Sequence, residues 1–256
     1  MPKILVTGNK GFIGSVVFAD LKEKGYDVTG VDVEDAFLQE RFDIIFHFGA
    51  RTLIRNSVKM PYEYFLDNLG LLMQYLEKAR KDNSIIIFPT SGSTAKPTNP
   101  YSLAKKESEE WLELYNNLYG VKYYTLRFYN IYGETSRKGA VYLFTKAAFE
   151  STPAILFGDG THKRDFVYVH DISRISEKII NGEINPGTYE VGTGIGTSIN
   201  DLIKLIERKT NKKIIIEHKS FEVDEAESLS AKNPMLSDFT PIEKGLDIVI
   251  SHFKKV

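Results

Sequence analysis

The stretch "ILVTGNKGFIG", residues 4–14, is an apolar run that breaks into three glycines, Gly8, Gly11 and Gly14. A helical pattern, "SVVFADLKEKG", follows it, and a second apolar run, "DVTGVD", ends on Asp32. Between a strand and a helix, Gly8 permits the tight turn, Gly11 lets backbone amides approach a pyrophosphate and Gly14 lets the helix pack close to the sheet. The stretch therefore predicts a dinucleotide at the N-terminus of the first helix.

Two charged residues near this turn bear on which dinucleotide binds. Asp32 falls where a carboxylate can accept hydrogen bonds from an adenosine ribose, and its charge would repel a 2′-phosphate. Lys10, just before the middle glycine, favours the opposite choice because an ammonium there could bind a 2′-phosphate. We expect NAD as the cofactor, and NADP stays as the alternative.

Length, charge and composition narrow the class of protein. The 256 residues include 42% hydrophobic and 12% aromatic residues, which is enough to bury a globular core. Lys and Arg number 33 against 34 Asp and Glu, so the net charge of −1 offers no basic face for nucleic acid. No apolar stretch approaches the roughly 20 residues that cross a bilayer, and "MPKILVTG" lacks the pattern of a secretion signal. Nucleic-acid and membrane partners are not expected, and the absence of cysteine fits the reducing cytoplasm.

Short β-branched runs alternate with longer segments of helical period along the first half of the chain. Such runs are "KILVT", "DVTGVD", "FDIIFHFGA", "SIIIFPT" and "VKYYTLRF". This alternation predicts an α/β fold, a Rossmann-type doubly wound parallel sheet with a smaller, interwoven C-terminal lobe. We expect residues 1–130 to form the NAD-binding domain, to which residues from about 165 to 195 return. Residues 131–256 would mainly form the substrate-binding lobe.

The segment "YSLAK" places Tyr101 and Lys105 four residues apart, on one face of a predicted helix. The segment "YLFTK" gives Tyr142 and Lys146 the same spacing, so spacing alone does not select a site. Position does, because Tyr101 follows the buried run "IIIFPTSGS", and α/β sheets bind ligands at the carboxyl ends of their strands. Pro100 also marks a helix start. Tyr101 and Lys105 are therefore the candidate catalytic pair.

A phenol with a pKa of about 10 is a poor base at neutral pH unless positive charge stabilises its phenolate. The Lys105 ammonium, together with an oxidised nicotinamide ring, would supply that charge, so Tyr101 could move a proton. Ser91, at the end of the preceding strand, could hold the reacting alcohol or carbonyl oxygen. Its neighbours Ser93 and Thr90 are alternatives for this role.

Several segments together resemble the extended short-chain dehydrogenase/reductases, specifically the NAD-dependent epimerases and dehydratases that act on nucleotide sugars. "TGNKGFIG" resembles the cofactor turn, "DIIFHFGA" the strand beside the nicotinamide, and "NPYSLAKKESEEW" the catalytic helix. "TLRFYNIYG" is similar to the strand that follows, and "FGDGTHKRDFVYVHDIS" to a segment that shapes the sugar-nucleotide site. The resemblance runs nearly from end to end.

The resemblance implies further contacts to the cofactor and the substrate. Those to the cofactor are Phe12 and Ile13 at the pyrophosphate, Asp32 at the ribose, and Phe48, Gly49, Ala50 and Asn68 around the remainder. Those to the substrate are Asn130 and Arg164, beside Ser91 and Ser93. A guanidinium suits phosphate oxygens, although Arg164 could instead pair with Asp165.

The histidines carry no site in this interpretation. His47 is expected to be a strand-end histidine satisfied by hydrogen bonds, without a catalytic role. His162 and His170 share no ligand spacing with other candidates, so no metal site is expected.

Three segments depart from the family pattern. "VEDAFLQERF", between Asp32 and Asp43, is too short for another strand and crossover helix, so one sheet edge should be missing and the adenine more exposed. "GSTAKPTNP" brings Ser91 close to Tyr101 in sequence. "SFEVDEAESLSAKN", residues 220–233, lacks the arginine that relatives aim at the second phosphate, which predicts a weaker grip on the nucleotide or a different donor.

The residues after Ser91 bear on the type of reaction. Family dehydratases carry an acidic pair there, whereas this chain has Gly92 and Ser93. The favoured function is therefore 4-epimerisation of a nucleotide hexose, most simply a UDP-hexose, through a transient 4-keto sugar. The alternatives are an NAD(P)H-dependent nucleotide 4-ketosugar reductase and a non-catalytic dinucleotide-binding sensor. The nucleotide and the sugar stay open.

The resemblance also implies a homodimer, in which the catalytic helix forms part of the contact. Trp111, Leu114 and Leu118 on that helix could line such a contact or could equally belong to the core.

Overall fold

The computed structural model describes residues 1–95, 97–220 and 228–255. The strands in the described residues are β1 (Lys3–Thr7), β2 (Asp27–Val31), β3 (Ile44–His47), β4 (Ile85–Ser91), β5 (Tyr123–Phe128), β6 (Asn130–Tyr132), β7 (Ala154–Phe157), β8 (Lys163–Tyr168), β9 (Gly187–Val191), β10 (Gly196–Ser198) and β11 (Ile216–Lys219). The α-helices are α1 (Phe12–Glu23), α2 (Ile54–Lys59), α3 (Pro61–Tyr64), α4 (Leu71–Asp82), α5 (Pro100–Tyr119), α6 (Ala140–Glu150), α7 (Val169–Ile180), α8 (Ile199–Thr210) and α9 (Ile242–Phe253). A π-helical turn, Phe65–Gly70, precedes α4, and a 3₁₀ turn, Gly92–Ala95, follows β4.

The main sheet has the strand order β2-β1-β3-β4-β5-β9. The pairs β1–β2, β1–β3, β3–β4 and β4–β5 are all parallel. Its inner strands are buried on both faces, as the continuous apolar runs Ile4–Val6, Ile44–Phe46 and Ile86–Phe88 require. The prediction of an α/β, Rossmann-type parallel sheet is confirmed.

One edge of this sheet stops at β2. The chain leaves β2 at Asp32 and returns on the far side of β1 as β3, and residues 32–43, all of them described, contain neither helix nor strand. Such a length cannot hold a parallel strand with its crossover helix. The expected loss of a sheet edge is therefore confirmed.

The helices α4 and α5 pack with the sheet around one apolar cluster. Leu72, Leu76 and Ala79 recur at four and three residues on the buried side of α4. They meet Ile86 and Phe88 of β4 in the same cluster. This packing holds α5 against the strand that ends at Ser91.

The chain divides into two compact units. The first contains Met1–Phe128 and Ile172–Tyr189, and the second contains Tyr129–Asp171 and Glu190–Val256. The second unit has a three-stranded sheet of order β10-β8-β6 and a parallel pair formed by β11 and β7. Among the described residues, the search for a helix long and apolar enough to cross a membrane finds none.

Candidate active site

The glycine turn has the geometry of a cradle that side chains would fill. Gly8 has a φ of +69°, and a Cβ there would lie 2.7 Å from the backbone nitrogen of Gly49. A Cβ on Gly14 would lie 2.8 Å from the carbonyl carbon of Gly8. The Gly11 amide closes the turn by donating to the Gly8 carbonyl at 2.9 Å. The turn thus admits only glycine at the first and third positions.

Helix α1 begins at Phe12, with Gly11 as its N-cap residue. The first amides of a helix have no partner within the helix, and the N-terminus favours negative charge. Phe12 and Ile13 are the first two residues of α1, so their amides lie where the sequence predicted pyrophosphate contacts.

A cavity of about 640 Å³ opens beside this turn, within the first unit. Of the predicted cofactor residues, Gly8, Asp32, Gly49 and Ala50 line it. The remaining lining residues include Thr7, Phe37, Arg51, Leu66, Asp67, Gln74 and Tyr75. Its glycine and carboxylate walls suit the pyrophosphate and the adenosine ribose of a dinucleotide.

The carboxylate of Asp32 lies at the end of β2 and is oriented by backbone amides. It accepts hydrogen bonds from the amides of Lys10 and Val33, each at 2.8 Å. The Lys10 ammonium forms an ion pair with Glu34, which raises the pKa of Lys10 and lowers that of Glu34. The cation that favoured NADP is therefore neutralised, and the cavity wall also carries Asp35. This charge pattern favours NAD.

Thr7 and His47 hold the ends of β1 and β3 together. The Thr7 hydroxyl accepts from the Gly49 amide at 3.1 Å and lies 2.7 Å from Nδ1 of His47. The His47 ring is fully buried between Tyr75, at 4.6 Å, and Phe88, at 5.5 Å, and burial lowers its pKa to about 3. The expectation of a fully satisfied histidine is wrong for one atom, because Nε2 has no hydrogen-bond partner in the described residues.

Phe48 and Asn68 both form hydrogen bonds with backbone groups in this region. The Phe48 amide donates to the Thr7 carbonyl at 3.2 Å. Asn68 is buried in the π-helical turn. Its side-chain oxygen accepts from the Arg51 backbone N–H at 2.8 Å, and its side-chain nitrogen donates to the Arg51 carbonyl at 3.1 Å. Its side chain thus fixes the loop after β3 that lines the cavity, and π-helical turns often mark functional sites.

The catalytic helix predicted from the sequence is α5. Asn99 and Ser102 form a capping box, and Pro100 is the first residue of the helix. Lys105 is buried, and its ammonium donates to the Pro89 carbonyl at 2.9 Å and lies 4.2 Å from the ring centre of Phe88.

Burial shifts the two candidate catalytic groups toward their neutral forms. It lowers the pKa of Lys105 to about 7 and raises the pKa of Tyr101 to about 12, with a smaller contribution from Tyr64 to the second shift. The phenol of Tyr101 is thus protonated at neutral pH in the protein alone.

The serines after β4 lie next to each other. The hydroxyls of Ser91 and Ser93 are 2.9 Å apart, and the Ser93 amide donates to the Ser91 hydroxyl at 3.2 Å. Thr90 is buried and donates to Glu109 at 2.7 Å. Ser91 and Ser93 therefore stay as candidates for binding a substrate oxygen, and Thr90 is already bonded elsewhere.

An ion pair that the sequence interpretation missed supports this corner. Glu109 accepts from Arg127 of β5 at 3.0 and 2.6 Å, and from the hydroxyls of Thr90 and Thr94 at 2.7 and 3.3 Å. Glu109 thereby joins α5 to the ends of β4 and β5. Its position four residues after Lys105, on the same helix face, is the signal that could have indicated it.

The predicted substrate residues Asn130 and Arg164 belong to the second unit. The Asn130 side chain donates to the Asp165 carbonyl at 3.2 Å, and Arg164 donates to the Lys163 carbonyl at 3.0 Å. The buried Asp165 carboxylate accepts from the amides of residues 193, 194 and 231. The pairing of Arg164 with Asp165 stays the alternative to phosphate binding.

Two further predictions concern the second unit. In the segment 220–233, where the sequence lacks an arginine, residues 221–227 lie outside the described residues. His170 lies 3.0 Å from Glu134, and no three His, Asp or Glu side chains in the described parts of the chain are grouped as metal ligands.

Comparison with known proteins places the chain in a family. The model of the NAD dependent epimerase/dehydratase family matches residues 4–192. A putative UDP-glucose 4-epimerase of Methanocaldococcus jannaschii is 33% identical over 80% of this chain and 82% of its own length. A UDP-glucuronate 4-epimerase of Thermodesulfobacterium geofontis is 27% identical, with 98% of this chain and 96% of its own length covered.

A solved structure shares the fold over almost the whole chain. The crystal structure of UDP-glucose 4-epimerase with UDP-glucose from Thermotoga maritima has a TM-score of 0.87 and 27% identity, and the match covers 99% of each chain. The glycine cradle, the Tyr101 and Lys105 pair and the family match over residues 4–192 point to one conclusion. The chain belongs to the NAD dependent epimerase/dehydratase family and is an epimerase whose cofactor is NAD.

Proposed function

We propose that the protein interconverts the two C4 epimers of a UDP-linked hexose through a transient 4-keto sugar. The observation that carries the proposal is the position of Ser91, Ser93 and Lys105 around the end of β4, with Tyr101 four residues before Lys105 on α5, in the unit that holds the glycine cradle. The names of the relatives, UDP-glucose 4-epimerase and UDP-glucuronate 4-epimerase, support a UDP-sugar and a reaction at C4.

Each residue of this group has one task. NAD, when bound, accepts the C4 hydrogen as hydride and returns it, and it adds positive charge next to the phenol. Because burial holds the pKa of Tyr101 at about 12 and that of Lys105 at about 7, added positive charge is what allows Tyr101 to lose its proton. Tyr101 then takes the proton of the C4 hydroxyl and gives it back after the keto sugar has turned over. Ser91, supported by Ser93, donates a hydrogen bond to the C4 oxygen.

The residues that follow Ser91 favour epimerisation over dehydration. Elimination of water needs an acid and a base at the sugar, and Gly92 and Ser93 supply neither. Glu109, whose carboxylate lies near the end of β4, is bonded to Arg127 and Thr90. Glu109 therefore stabilises the protein and does not act as the acid or base of an elimination.

The two alternatives from the sequence have less support. Lys10 mildly supported the reductase hypothesis, and its ammonium is paired with Glu34. The sensor hypothesis requires no catalytic group, yet the ionisable amine of Lys105 is buried, which is costly to maintain without a function. Neither alternative gains an observation of its own.

The second unit is part of the proposal as the substrate-binding lobe. Asn130 and Arg164 lie on the neighbouring strands β6 and β8. In this proposal Arg164 binds a phosphate of the nucleotide and Asn130 binds the sugar, whereas the first unit holds NAD.

The proposal includes a homodimer that forms through the outer face of α5. Trp111, Leu114 and Leu118 are 37%, 42% and 61% exposed, so they do not belong to the core of one chain. Their spacing of three and four residues places them on one helix face, and Leu103 extends it toward the start of α5. A second copy of the chain would cover this apolar face.

A cytoplasmic location belongs to the same proposal. The chain has no cysteine, which suits a reducing compartment without requiring it. NAD and nucleotide sugars are both intracellular metabolites in such a role.

The test is to incubate the purified protein separately with UDP-glucose, UDP-galactose, their N-acetyl forms and UDP-glucuronate. Interconversion of one C4 pair is expected, and we expect Tyr101→Phe to lower kcat by at least about 100-fold. The matched control is Tyr142→Phe, since Tyr142 has the same spacing to a lysine and should leave kcat unchanged. The proposal fails if the wild-type protein converts none of these sugars.

A further inference from the structure

The irregular connection between β2 and β3 forms one wall of the cofactor cavity. Val33, Asp35 and Phe37, all in this connection, line the cavity together with Asp32. In a longer relative of this fold, another strand would stand at this edge. Here a loop takes its place, and Phe37 is the aromatic residue that the loop presents to the cavity.

Phe37 is held in position although the loop has no regular structure. Its ring lies 5.1 Å from the ring of Tyr75 at an interplanar angle of 42°. Tyr75 is itself buried against His47, at 4.6 Å. The three rings form a continuous row of tilted ring contacts that begins in the sheet and ends at the cavity.

Two lysines fasten the far end of the same loop. The buried Lys78 donates to the Glu40 carbonyl at 2.7 Å, and Lys3 forms an ion pair with the Glu40 carboxylate. Phe42, two residues later, is fully buried. The loop is thus anchored on both sides of Phe37, which lines the cavity and is 36% exposed.

The position of the cofactor's parts follows from the cradle. With the pyrophosphate at the N-terminus of α1 and the ribose at Asp32, the adenine must lie past Asp32, beside residues 33–37. Adenine offers a flat π-face, which an aromatic side chain can stack against. Phe37 is the cavity-lining aromatic residue on that side of Asp32.

We infer that Phe37 is the adenine-binding side chain, and that its stack on Tyr75 replaces the sheet edge that this chain lacks. The expectation that the adenine would be more exposed is thereby modified, since one of its faces would be covered. The inference rests on NAD as the cofactor and is independent of the identity of the sugar.

The test uses the full-length protein and ADP-ribose as the probe, with binding measured by calorimetry. Phe37→Leu keeps an apolar side chain but removes the ring, and we expect it to weaken ADP-ribose binding at least about fivefold. Phe37→Tyr keeps the ring and should stay within about twofold of wild type. Gln39→Ala, at an exposed position of the same loop that does not line the cavity, is the matched control and should have no effect.

A second readout separates stacking from a change in the loop. Transferred NOEs from adenine H2 and H8 to phenylalanine ring protons are expected in the wild type and should disappear in Phe37→Leu. If Phe37→Leu binds ADP-ribose as tightly as the wild type, or if the NOEs persist in it, the inference is overturned. Because no sugar is present, these outcomes are distinguishable from a failure of the proposed epimerisation.

Discussion

Lys105 carries an ionisable amine in the protein interior, where burial disfavours the charged form. It is buried, with its ammonium between the Pro89 carbonyl and the ring of Phe88, and burial lowers its pKa to about 7. In the unfolded chain the same group has a pKa near 10.5. The folded protein therefore binds fewer protons than the unfolded chain between these two values, and stability should rise with pH across that window.

Replacement of Lys105 by methionine should remove this pH dependence. Relative to Lys105→Met, the wild type should gain roughly 2 to 3 kcal/mol of unfolding free energy between pH 6 and pH 9. Urea unfolding of both proteins at the two pH values measures the difference. If the unfolding free energies of the wild type and the variant change equally between the two pH values, burial does not lower the pKa of Lys105. The variant should be inactive in either case.

Gly14 is the residue at which the turn tolerates least change. A Cβ there would lie 2.8 Å from the carbonyl carbon of Gly8, and this neighbour is backbone that cannot rotate away. We expect Gly14→Ala to weaken NAD binding by more than about tenfold, because the turn must open to admit the methyl group. Ser15→Ala, one residue later on α1, is the control, and equal NAD titrations for both variants would contradict this account of the turn.

At the residue scale, the sequence could supply types and spacings but not partners. Gly8, Asp32, Tyr101 and Lys105 could be proposed as site residues because each has a distinctive chemistry or spacing. The ion pair between Lys10 and Glu34, which removes the argument for NADP, joins side chains 24 positions apart in the sequence. No local pattern specifies that pairing.

At the element scale, α5 carries a stripe of candidate site residues at intervals of four. Tyr101 and Lys105 are followed by Glu109, which is paired with Arg127 of β5 and bonded to Thr90 of β4. The stripe thus fixes the helix to the strand whose end carries Ser91. Glu109 is buried, and the Arg127 side chain is 37% exposed.

Glu109→Gln keeps the size of the side chain but removes its charge, leaving Arg127 without its ionic partner. We expect a loss of about 2 kcal/mol in unfolding free energy, less than for a fully buried pair because Arg127 reaches solvent. We also expect a lower kcat with little change in KM, because Ser91 would lose its fixed position. Glu113→Gln, on the exposed side of α5, should change neither quantity.

If Glu109→Gln lowers stability but leaves kcat unchanged at a temperature where it is folded, the ion pair is purely structural. Steady-state kinetics at 25 °C and thermal unfolding of both variants distinguish these cases.

The helices and strands were predictable to a large extent, and the predictions that the sequence could not supply have physical causes. The apolar runs located β1 to β5, and the length of the connection after β2 correctly predicted a missing sheet edge. Its replacement, Phe37 on Tyr75, could not be predicted because the two residues are brought together only by the fold. The π-helical turn at Phe65–Gly70 was equally hidden, since its sequence continues the helical pattern of α4.

At the scale of the whole molecule, the apolar face of α5 is the feature that one chain leaves uncovered. Leu118 is its most exposed member, at 61%. Leu118→Glu should convert a dimer into a monomer, because two carboxylates would be buried in a contact formed by two copies. Light scattering after size-exclusion chromatography measures this change.

Ile215→Glu provides the control for that experiment. Ile215 is also exposed, at 57%, but belongs to the second unit. A wild type that is monomeric at micromolar concentration, or a Leu118→Glu variant that stays dimeric, would contradict the proposed contact.

The central claim is that a sugar is oxidised and reduced at C4 by one bound NAD, with Tyr101 moving the hydroxyl proton. The most direct measurement uses the UDP-sugar that the protein converts in the assay above, with deuterium at C4, and the product is analysed by NMR and mass spectrometry. The account predicts the C4 epimer with the deuterium retained at C4 and no accumulation of free NADH. An epimer whose C4 deuterium has exchanged with water, or release of one NADH for each sugar consumed, would contradict it.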